Sequence, residues 1–181
     1  MRDTREDFDH PALPGGHLLR PHCLYRLGAA DWRARRLRLV DYQPAMAGEL
    51  VAMWRESFEE AVVTLDPHPV SEQHRYLEEE VLPANAVKVM LEGEAIVGFV
   101  AASRDSIAQL YVRRGRQRRG LGTWMLEWAR SQSDGSLWLY TFARNARACA
   151  FYERQGFRAV ARGFEPDWGL EDVRYEWRRA G

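Results

Sequence analysis

The sequence lacks long apolar runs and a surplus of charge of either sign. Its 181 residues include 26 basic and 26 acidic side chains, so the formal net charge is zero. A general nucleic-acid binder needs excess positive charge against the phosphates, and we therefore expect no nucleic-acid partner. No stretch approaches the ~18 consecutive apolar residues of a membrane-spanning helix, so we expect no membrane partner.

Cysteine is also scarce, with Cys23 and Cys149 as the two in the chain. Two cysteines are too few for a disulfide scaffold or, by themselves, for a zinc site. The nearby His10, His17 and His22 do not complete a common ligand spacing, so we predict no metal. The first ten residues are charged and lack the apolar segment of a signal peptide. These features are typical of a reduced, cytoplasmic protein.

The apolar content is that of a globular domain. Apolar residues make up 46% of the chain and aromatic residues 12%, which suits one domain of this length. Residues 1–34 hold several prolines and glycines but no lasting helical or strand period, so we predict a loosely structured N-terminal extension. Residues 35–181 are predicted to form the domain itself.

Hydrophobic periodicity predicts the element order β-α-α-β-β-β-α-β-α-β-β in that domain. Helices are predicted over 46–63, 71–82 and 119–131, and a fourth begins at Asn145. The apolar stretch 95–102 predicts a strand that is covered on both faces. Together these features predict an α/β (α+β) protein with a mixed central β-sheet flanked by helices.

Chemically informative residues concentrate after the strand that is predicted to end at Val112. There a glycine-containing loop leads into a helix, whose first amides are unpaired and carry partial positive charge. Gly120 and Gly122 let a ligand approach the backbone. Positive charge around them comes from Arg113, Arg114, Arg116, Arg118 and Arg119. This pattern predicts a di- or polyphosphate ligand, with a solvated loop or an RNA-binding loop as the alternatives.

A second motif follows one strand later, with Asn145 and then Ala150-Phe-Tyr-Glu-x-x-Gly-Phe157. Together with Gln117-x-x-Gly120-x-Gly122, it resembles the GNAT superfamily of acyl-CoA-dependent N-acetyltransferases, over roughly residues 36–178. The element order is also similar to the GNAT fold. The resemblance implies an enzyme that moves an acetyl group from acetyl-CoA directly to a primary amine of a small molecule or peptide, without a covalent enzyme intermediate.

The resemblance also implies a binding mode for acetyl-CoA. The amides of residues 117–122 would hold its pyrophosphate, and its pantetheine would run along the strand Leu110–Val112, where two central strands separate. A backbone N–H there would polarise the acetyl carbonyl, as an oxyanion hole does. The cofactor-binding residues implied in this way are Leu110, Tyr111, Val112, Gln117, Arg118, Arg119, Gly120, Leu121, Gly122, Thr123, Asn145 and Tyr152.

Tyr152 matches the family tyrosine that faces the departing thiolate. A phenol with a pKa of about 10 stays protonated near pH 7, so Tyr152 can act as the general acid. The alternative is a core tyrosine packed beside Phe151 and Phe157. Asn145 is predicted to be a helix N-cap as well as a cofactor contact.

No general base carries over from the family. Many members place a carboxylate on the strand before the phosphate loop, but here that stretch reads Ile107-Ala-Gln109. Candidates are Glu56, Glu59 and Glu60 on the first helix and Asp172 before the last strand. Of these we single out Glu59 and Asp172, with a chain of waters as the alternative. Because the usual carboxylate is missing, a non-catalytic acyl-CoA-binding or regulatory module on the same fold is the alternative function.

The amine acceptor is expected to bind between the first helices and the last two strands. Aromatic walls could come from Trp54, Phe58, Trp168, Tyr175 and Trp177, of which we assign Trp54 and Trp177 to packing. The acidic run Glu78–Glu80 is expected to be a solvated helix face, so no acidic tract identifies a polyamine receptor. The sequence is compatible with either a small-molecule amine or a protein N-terminus as the acceptor. It is also compatible with a homodimer.

Overall fold

The computed structural model of the protein describes residues 8–9, 21–22 and 37–179. The chain divides into two units, residues 1–36 and 37–181. In the first unit the strands Phe8–Asp9 and Pro21–His22 pair antiparallel. The predicted loose extension and its boundary after residue 34 stay predictions. The sequence analysis considered four residues as metal ligands, and their side chains are not among those that the structure describes: His10, His17, His22 and Cys23.

The second unit alternates helices and strands in the predicted order, and the α/β fold class is confirmed. Its helices are α1 (Ala47–Val62), α2 (Val70–Tyr76), α3 (Leu121–Gln132) and α4 (Ala146–Arg154). Its strands are β1 (Leu37–Asp41), β2 (Ala86–Glu92), β3 (Ala95–Ala102), β4 (Ile107–Val112), β5 (Ser136–Phe142), β6 (Arg158–Glu165) and β7 (Leu170–Arg178).

Short helical turns extend two of these helices. A 3₁₀ turn, Pro44–Met46, precedes α1, and α2 runs on through a π-helical turn, Leu77–Val81, into a last turn, Leu82–Ala84. None of the helices described here is long and apolar enough to cross a membrane.

Helix α3 begins at Leu121 rather than at residue 119 because of the backbone before it. Arg118 and Gly120 adopt φ angles of 61° and 81°, which lie in the left-handed region that a right-handed helix excludes. Glycine adopts this conformation without steric cost, whereas for a side chain such as arginine it is uncommon. The loop therefore stays irregular up to Gly120, and its amides lie outside helical hydrogen bonding.

The predicted mixed sheet consists of two antiparallel parts, and its two central strands separate as the family resemblance implies. Strands β1 to β4 form an antiparallel sheet in that order, and the other three form a second one in the order β5-β7-β6. Within the described residues, a single parallel bridge between Ser106 and Trp138 joins the two, and the Trp138 amide donates to the Asp105 carbonyl at 2.9 Å. Beyond this bridge β4 and β5 separate, and a cleft opens between them.

Strand β3 is covered on both faces, as its apolar sequence predicts. Phe99 and Ala101 pack with the cluster formed by α1 and α2, whereas Val97 and Val100 pack with the cluster formed by α3 and α4. Each of these four side chains is at most 1% exposed. Packing from both sides holds β3 rigidly, and β4 is its hydrogen-bonded neighbour.

Gly98 of β3 brings β4 unusually close. It lies opposite Val112 in the ladder, and a Cβ atom at this position would lie 2.7 Å from the backbone carbonyl oxygen of Tyr111. That separation is well inside the ~3.5 Å at which non-bonded heavy atoms attract each other. Only glycine therefore permits this spacing between β3 and β4, directly behind the cleft.

Candidate active site

The cleft between β4 and β5 has a volume of about 720 Å³. Residues Ile107–Val112 of β4 form one wall, and Tyr140–Phe142 of β5 form the other. Strand β4 is paired with β3 along one edge, so past the bridge its other edge presents backbone N–H and C=O groups to the cleft. A ligand with alternating donors and acceptors can bind this edge as an added strand would.

Gln117 shapes the loop that follows β4 and also lines the cleft. Its side chain accepts the Gly115 amide at 3.0 Å and donates to the Val112 carbonyl at 3.4 Å. The first hydrogen bond of α3 runs from the Trp124 amide to the Gly120 carbonyl at 3.0 Å. The amides of residues 117–123 have no acceptor within the described structure. Such a run of free amides at a helix N-terminus is suited to bind an anion.

The arginines around this loop are mostly neutralised by acidic residues of the protein. Ion pairs between 2.7 and 3.7 Å long join Arg113 to Glu49, Arg114 to Glu60, and both Arg116 and Arg119 to Glu92. Arg118 is exposed and has no acidic partner among residues 37–179. The positive charge available to a phosphate is therefore smaller than the five arginines suggest, and it is centred on Arg118.

Tyr152 lines the cleft from α4 and is 6% exposed. Its ring lies 5.5 Å from that of Phe157 and 6.1 Å from that of Tyr175, between centroids, so core packing holds it in place. Its hydroxyl has no hydrogen-bond partner in the part of the chain described. Burial raises the pKa of the Tyr152 phenol above its ordinary value of 10.0, which keeps it protonated at neutral pH. The ring of Tyr152 is therefore part of the core, as the alternative predicts, while its hydroxyl group has no protein partner in the described structure and can contact a ligand.

The other predicted cofactor residues contribute in different ways. Asn145 lines the cleft, and its side-chain carbonyl accepts the amide three residues further on at 3.1 Å, so the predicted N-cap is confirmed. Leu121 is 2% exposed and can offer only its backbone. Gly122 faces Phe151, whose ring would lie 3.4 Å from an added Cβ. Thr123 lies in the first turn of α3.

The two candidate bases lie in different places. Glu59 pairs with Arg55 at 3.1 Å and accepts the Asp66 amide at 3.1 Å. These bonds hold the turn after α1, and Glu59 is not part of the described cleft lining, so its position does not suit the role predicted for it.

Asp172 lines the cleft, and its buried Oδ1 has no hydrogen-bond partner among the described residues. Glu60 and Glu165 also line the cleft, but Glu60 pairs with Arg114 at 3.7 Å. The buried oxygen without a partner favours Asp172 among these carboxylates.

A second cavity, of about 540 Å³, adjoins the cleft. The two share the lining residues Phe58, Tyr76, Gln109, Tyr111, Phe142, Glu165 and Trp168. Its walls come from α1, α2, β4, β5 and the turn after β6, which is the region expected for the acceptor.

The aromatic walls of this cavity differ from the prediction. Phe58 and Trp168 line it as expected, and Trp54, predicted to be a packing residue, lines it too while being 5% exposed. Tyr175 instead packs against Tyr152, as described above. Trp177 stacks on the guanidinium of Arg130, 4.7 Å from its ring centroid. Trp177 is therefore a packing residue, as predicted, and Tyr175 is not a wall.

The sequence analysis missed the charge of this cavity. Six carboxylates line it: Asp66, Glu72, Glu79, Glu80, Glu165 and Asp167; we call it the acidic cavity. The run Glu78–Glu80 was a partial signal, but two of its members lie at the cavity and are not merely a solvated face. Glu165 and Asp167 lie far along the chain from α2, and no local pattern brings them together with it.

A protein-family model described as the acetyltransferase (GNAT) family matches residues 48–157. The match runs from α1 to the end of the motif around Tyr152 and covers more than half of the chain. The chain therefore belongs to the GNAT acetyltransferase family, and the resemblance inferred from the two motifs is confirmed.

Solved structures show the same fold. An acetyltransferase from Thermus thermophilus is 25% identical, with a TM-score of 0.64 over 78% of this chain and 96% of its own. YjaB from Escherichia coli, in its apo form, is 21% identical, with a TM-score of 0.66 over 80% and 99%. The yncA protein from Salmonella typhimurium, solved with its cofactor acetyl-CoA, is 15% identical, with a TM-score of 0.58 over 78% and 93%.

Proposed function

We propose that this protein is an N-acetyltransferase that moves an acetyl group from acetyl-CoA directly to the primary amine of a small molecule or peptide. One observation carries the proposal. The Tyr152 hydroxyl, which has no partner among the described residues, lines the same cleft as the free edge of β4 and as Gln117, where the run of unpaired amides begins. Membership of the GNAT acetyltransferase family supports it.

The residues around the cleft fit acetyl-CoA, which when bound supplies an activated acetyl thioester. The free amides of residues 117–123, with Arg118, suit the pyrophosphate. The edge of β4 at Leu110–Val112 suits the amide-rich pantetheine, and one of its N–H groups would polarise the acetyl carbonyl. That the similar yncA protein carries acetyl-CoA as its cofactor supports this assignment.

Tyr152 and Asp172 would handle the protons. An attacking amine must be neutral, and a lysine-like amine with a pKa of about 10.4 is mostly protonated at pH 7. Asp172 would take that proton, directly or through water. The amine nitrogen would then bond to the carbonyl carbon and release its second proton as the C–S bond breaks. Tyr152 would donate its phenol proton to the departing sulfur and regain a proton, through water, from that nitrogen. No side chain of the protein is acylated in this scheme.

A non-catalytic acyl-CoA-binding module is the second candidate. The observation in its favour is Gln109, an uncharged residue on β4 that lines both the cleft and the acidic cavity. Many members of the family carry a carboxylate on this strand. Such a module would bind acetyl-CoA without consuming it.

Thermal unfolding with and without acetyl-CoA, followed by an assay of free thiol, tests both candidates. A ligand at about 100 times its Kd adds about 2.7 kcal/mol of stability, and each kcal/mol raises the Tm of a domain of this size by about 2–4 °C. We expect a rise of roughly 5–10 °C with acetyl-CoA and none with ATP or NAD. Amine-dependent thiol release supports the enzyme, a shift without release supports the module, and no shift contradicts both.

From composition we also propose a cytoplasmic location and no nucleic-acid or membrane partner. The proposed function is compatible with a homodimer.

A further inference from the structure

We infer that the acceptor of the proposed N-acetyltransferase is a small amine that carries a second cationic group, held by the acidic cavity while its reacting nitrogen lies in the cleft. This inference rests on the proposed function, since it names the class of amine that the same site would take. It is carried by the charge, the polar atoms and the rings of the cavity.

The charge of the cavity is strongly unbalanced. Against its six carboxylates the lining contains one guanidinium, that of Arg75, and one imidazole, that of His68. The imidazole lies 3.3 Å from Glu72, and Asp66 lies 3.8 Å from Arg55. The other four carboxylates form no ion pair within residues 37–179: Glu79, Glu80, Glu165 and Asp167. Negative charges that surround a space with low-dielectric walls attract a cation into it.

A buried amide gives independent evidence for a ligand. Gln73 lines the acidic cavity and is 8% exposed, and its buried Oε1 has no hydrogen-bond partner in the described structure. A buried carbonyl oxygen without a donor is destabilising, so native proteins rarely keep one without a reason. An ammonium group, which has three donors and no acceptor, would satisfy it.

The aromatic walls suit the same chemistry. Trp168 lies 4.6 Å from Phe58 and 6.2 Å from Phe142, between ring centroids, and all three line the acidic cavity. The faces of such rings attract cations, and they also cover the methylene groups between two amines. A diamine with an alkyl chain uses both properties, whereas an amine without a second charge uses only the second.

The cavity is better suited to an extended organic cation than to a metal ion. Among the described residues, no three His, Cys, Asp or Glu side chains are grouped closely enough to hold a metal. The carboxylates are instead spread around a space of about 540 Å³, within the range of small-molecule sites. Glu165 lines both the acidic cavity and the cleft, so a short chain can reach from one to the other.

Two probes of equal length test the inference: 1,5-diaminopentane and 1-aminopentane. We expect kcat/KM for the diamine to be about tenfold higher, because the second ammonium gains two or more partly exposed ion pairs. The advantage should shrink at high salt, since salt screens such pairs. Equal kcat/KM for the two probes would overturn the inference and leave the proposed function intact.

Two neighbouring glutamates of the acidic cavity, Glu79 and Glu80, provide the test, and Glu78 beside them provides the control. Replacing both Glu79→Gln and Glu80→Gln should raise the KM for the diamine about fivefold and the KM for the monoamine, which brings one charge fewer, by a smaller factor. Glu78→Gln removes one negative charge, where the double variant removes two, from the same exposed turn, but Glu78 is not among the residues that line the acidic cavity. It should therefore change neither KM. Equal effects of the double variant and the control on the diamine would contradict the site.

Calorimetric titration of the two probes, without acetyl-CoA, separates this inference from the proposed function. Tighter binding of the diamine by the unmodified protein, weakened in the Glu79→Gln, Glu80→Gln double variant, supports the cation site even if no turnover is found. The same affinity for both probes overturns it, whether or not the protein acetylates either. Loss of turnover alone would count only against the enzyme.

Discussion

The cleft and the acidic cavity adjoin, yet they are built from different parts of the chain. The cleft offers mainly backbone groups, namely the free edge of β4 and the amides of residues 117–123. The acidic cavity offers side chains, and its carboxylates and rings come from α1, α2 and the turns that follow them, from β4 and β5, and from the end of β6 with the turn after it. One space is therefore made by local conformation, and the other by the meeting of distant segments.

This difference suggests a division of roles. A backbone site tolerates exchange of many side chains as long as the strand and the loop keep their conformation, which suits a ligand shared by a whole family. A side-chain site changes its selectivity with each substitution. We therefore expect variants of the cleft to act through conformation and proton transfer, and variants of the acidic cavity to act through the choice of amine.

The largest effect is expected where the protein supplies a side chain to the cleft. Tyr152→Phe should lower kcat about 100-fold, the lower end of the range for general acids, and leave the Kd for acetyl-CoA unchanged. Because burial raises the pKa of Tyr152 above 10.0, the wild-type kcat should not fall through loss of this acid below pH 10. Rates of thiol release across pH, with calorimetry of acetyl-CoA binding, measure both. A variant with full kcat would show that Tyr152 only packs.

Asp172→Asn should have the next largest effect and should depend on pH in the opposite sense. We expect kcat to fall about 30-fold near pH 7, within reach of general-base effects, and to recover as the pH approaches the pKa of the amine. The recovery follows because a neutral amine needs no base. Glu59→Gln is the control, since Glu59 pairs with Arg55 outside the cleft and should keep the wild-type pH profile. If kcat of both variants followed the same pH dependence as that of the wild type, water rather than Asp172 would be the base.

A change in the backbone spacing of β4 should disturb the cleft without removing any functional group. Gly98→Ala places a Cβ 2.7 Å from the Tyr111 carbonyl oxygen, so we expect a loss of about 2 kcal/mol and weaker binding of acetyl-CoA. Gly48→Ala is the matched control, because Gly48 lies in α1 with no neighbour within 4 Å of an added Cβ. It should stabilise the protein by about 0.5–1 kcal/mol. Thermal unfolding of the two variants compares them; an unchanged Tm for Gly98→Ala would contradict the close approach.

The smallest effect is expected for the arginines of the loop. Arg118→Ala should raise the Kd for acetyl-CoA about fivefold at low salt, since one exposed charge contributes about 1 kcal/mol. Arg119→Ala should raise it less than twofold, because Arg119 already pairs with Glu92 at 2.7 Å. Calorimetry at two salt concentrations distinguishes them. If Arg119→Ala has the larger effect, the pair with Glu92 opens when the ligand binds.

Much of the fold could be predicted because its signals are local. The continuous apolar sequence of β3 predicts burial on both faces, and the helical period of apolar residues in α1 predicts burial on one face. The start of α3 was predicted two residues early, because the left-handed conformation of Arg118 leaves no mark in the composition. The family resemblance implied that the two central strands separate, but not where their pairing stops, since among the described residues that depends on one bridge, from Ser106 to Trp138.

The candidate site was predictable to the same extent. Gly120, Gly122, Asn145 and Tyr152 lie in contiguous motifs, and a contiguous motif sets a loop, a cap and a helix face by local geometry alone. Glu59 and Asp172 could not be distinguished by sequence, because both are acidic residues near apolar elements. The fold places one in an ion pair with Arg55 and the other at the cleft.

Residues close together in the chain were enough to predict the family, the order of the elements and the loop that we propose to bind an anion. The three-dimensional structure was needed to show, for the described residues, that Arg118 has no acidic partner, that Asp172 but not Glu59 lines the cleft, and that six acidic side chains line one cavity. These properties depend on distances between segments that are far apart in the chain. Electrostatic attraction and desolvation act through space, and a linear pattern does not record them.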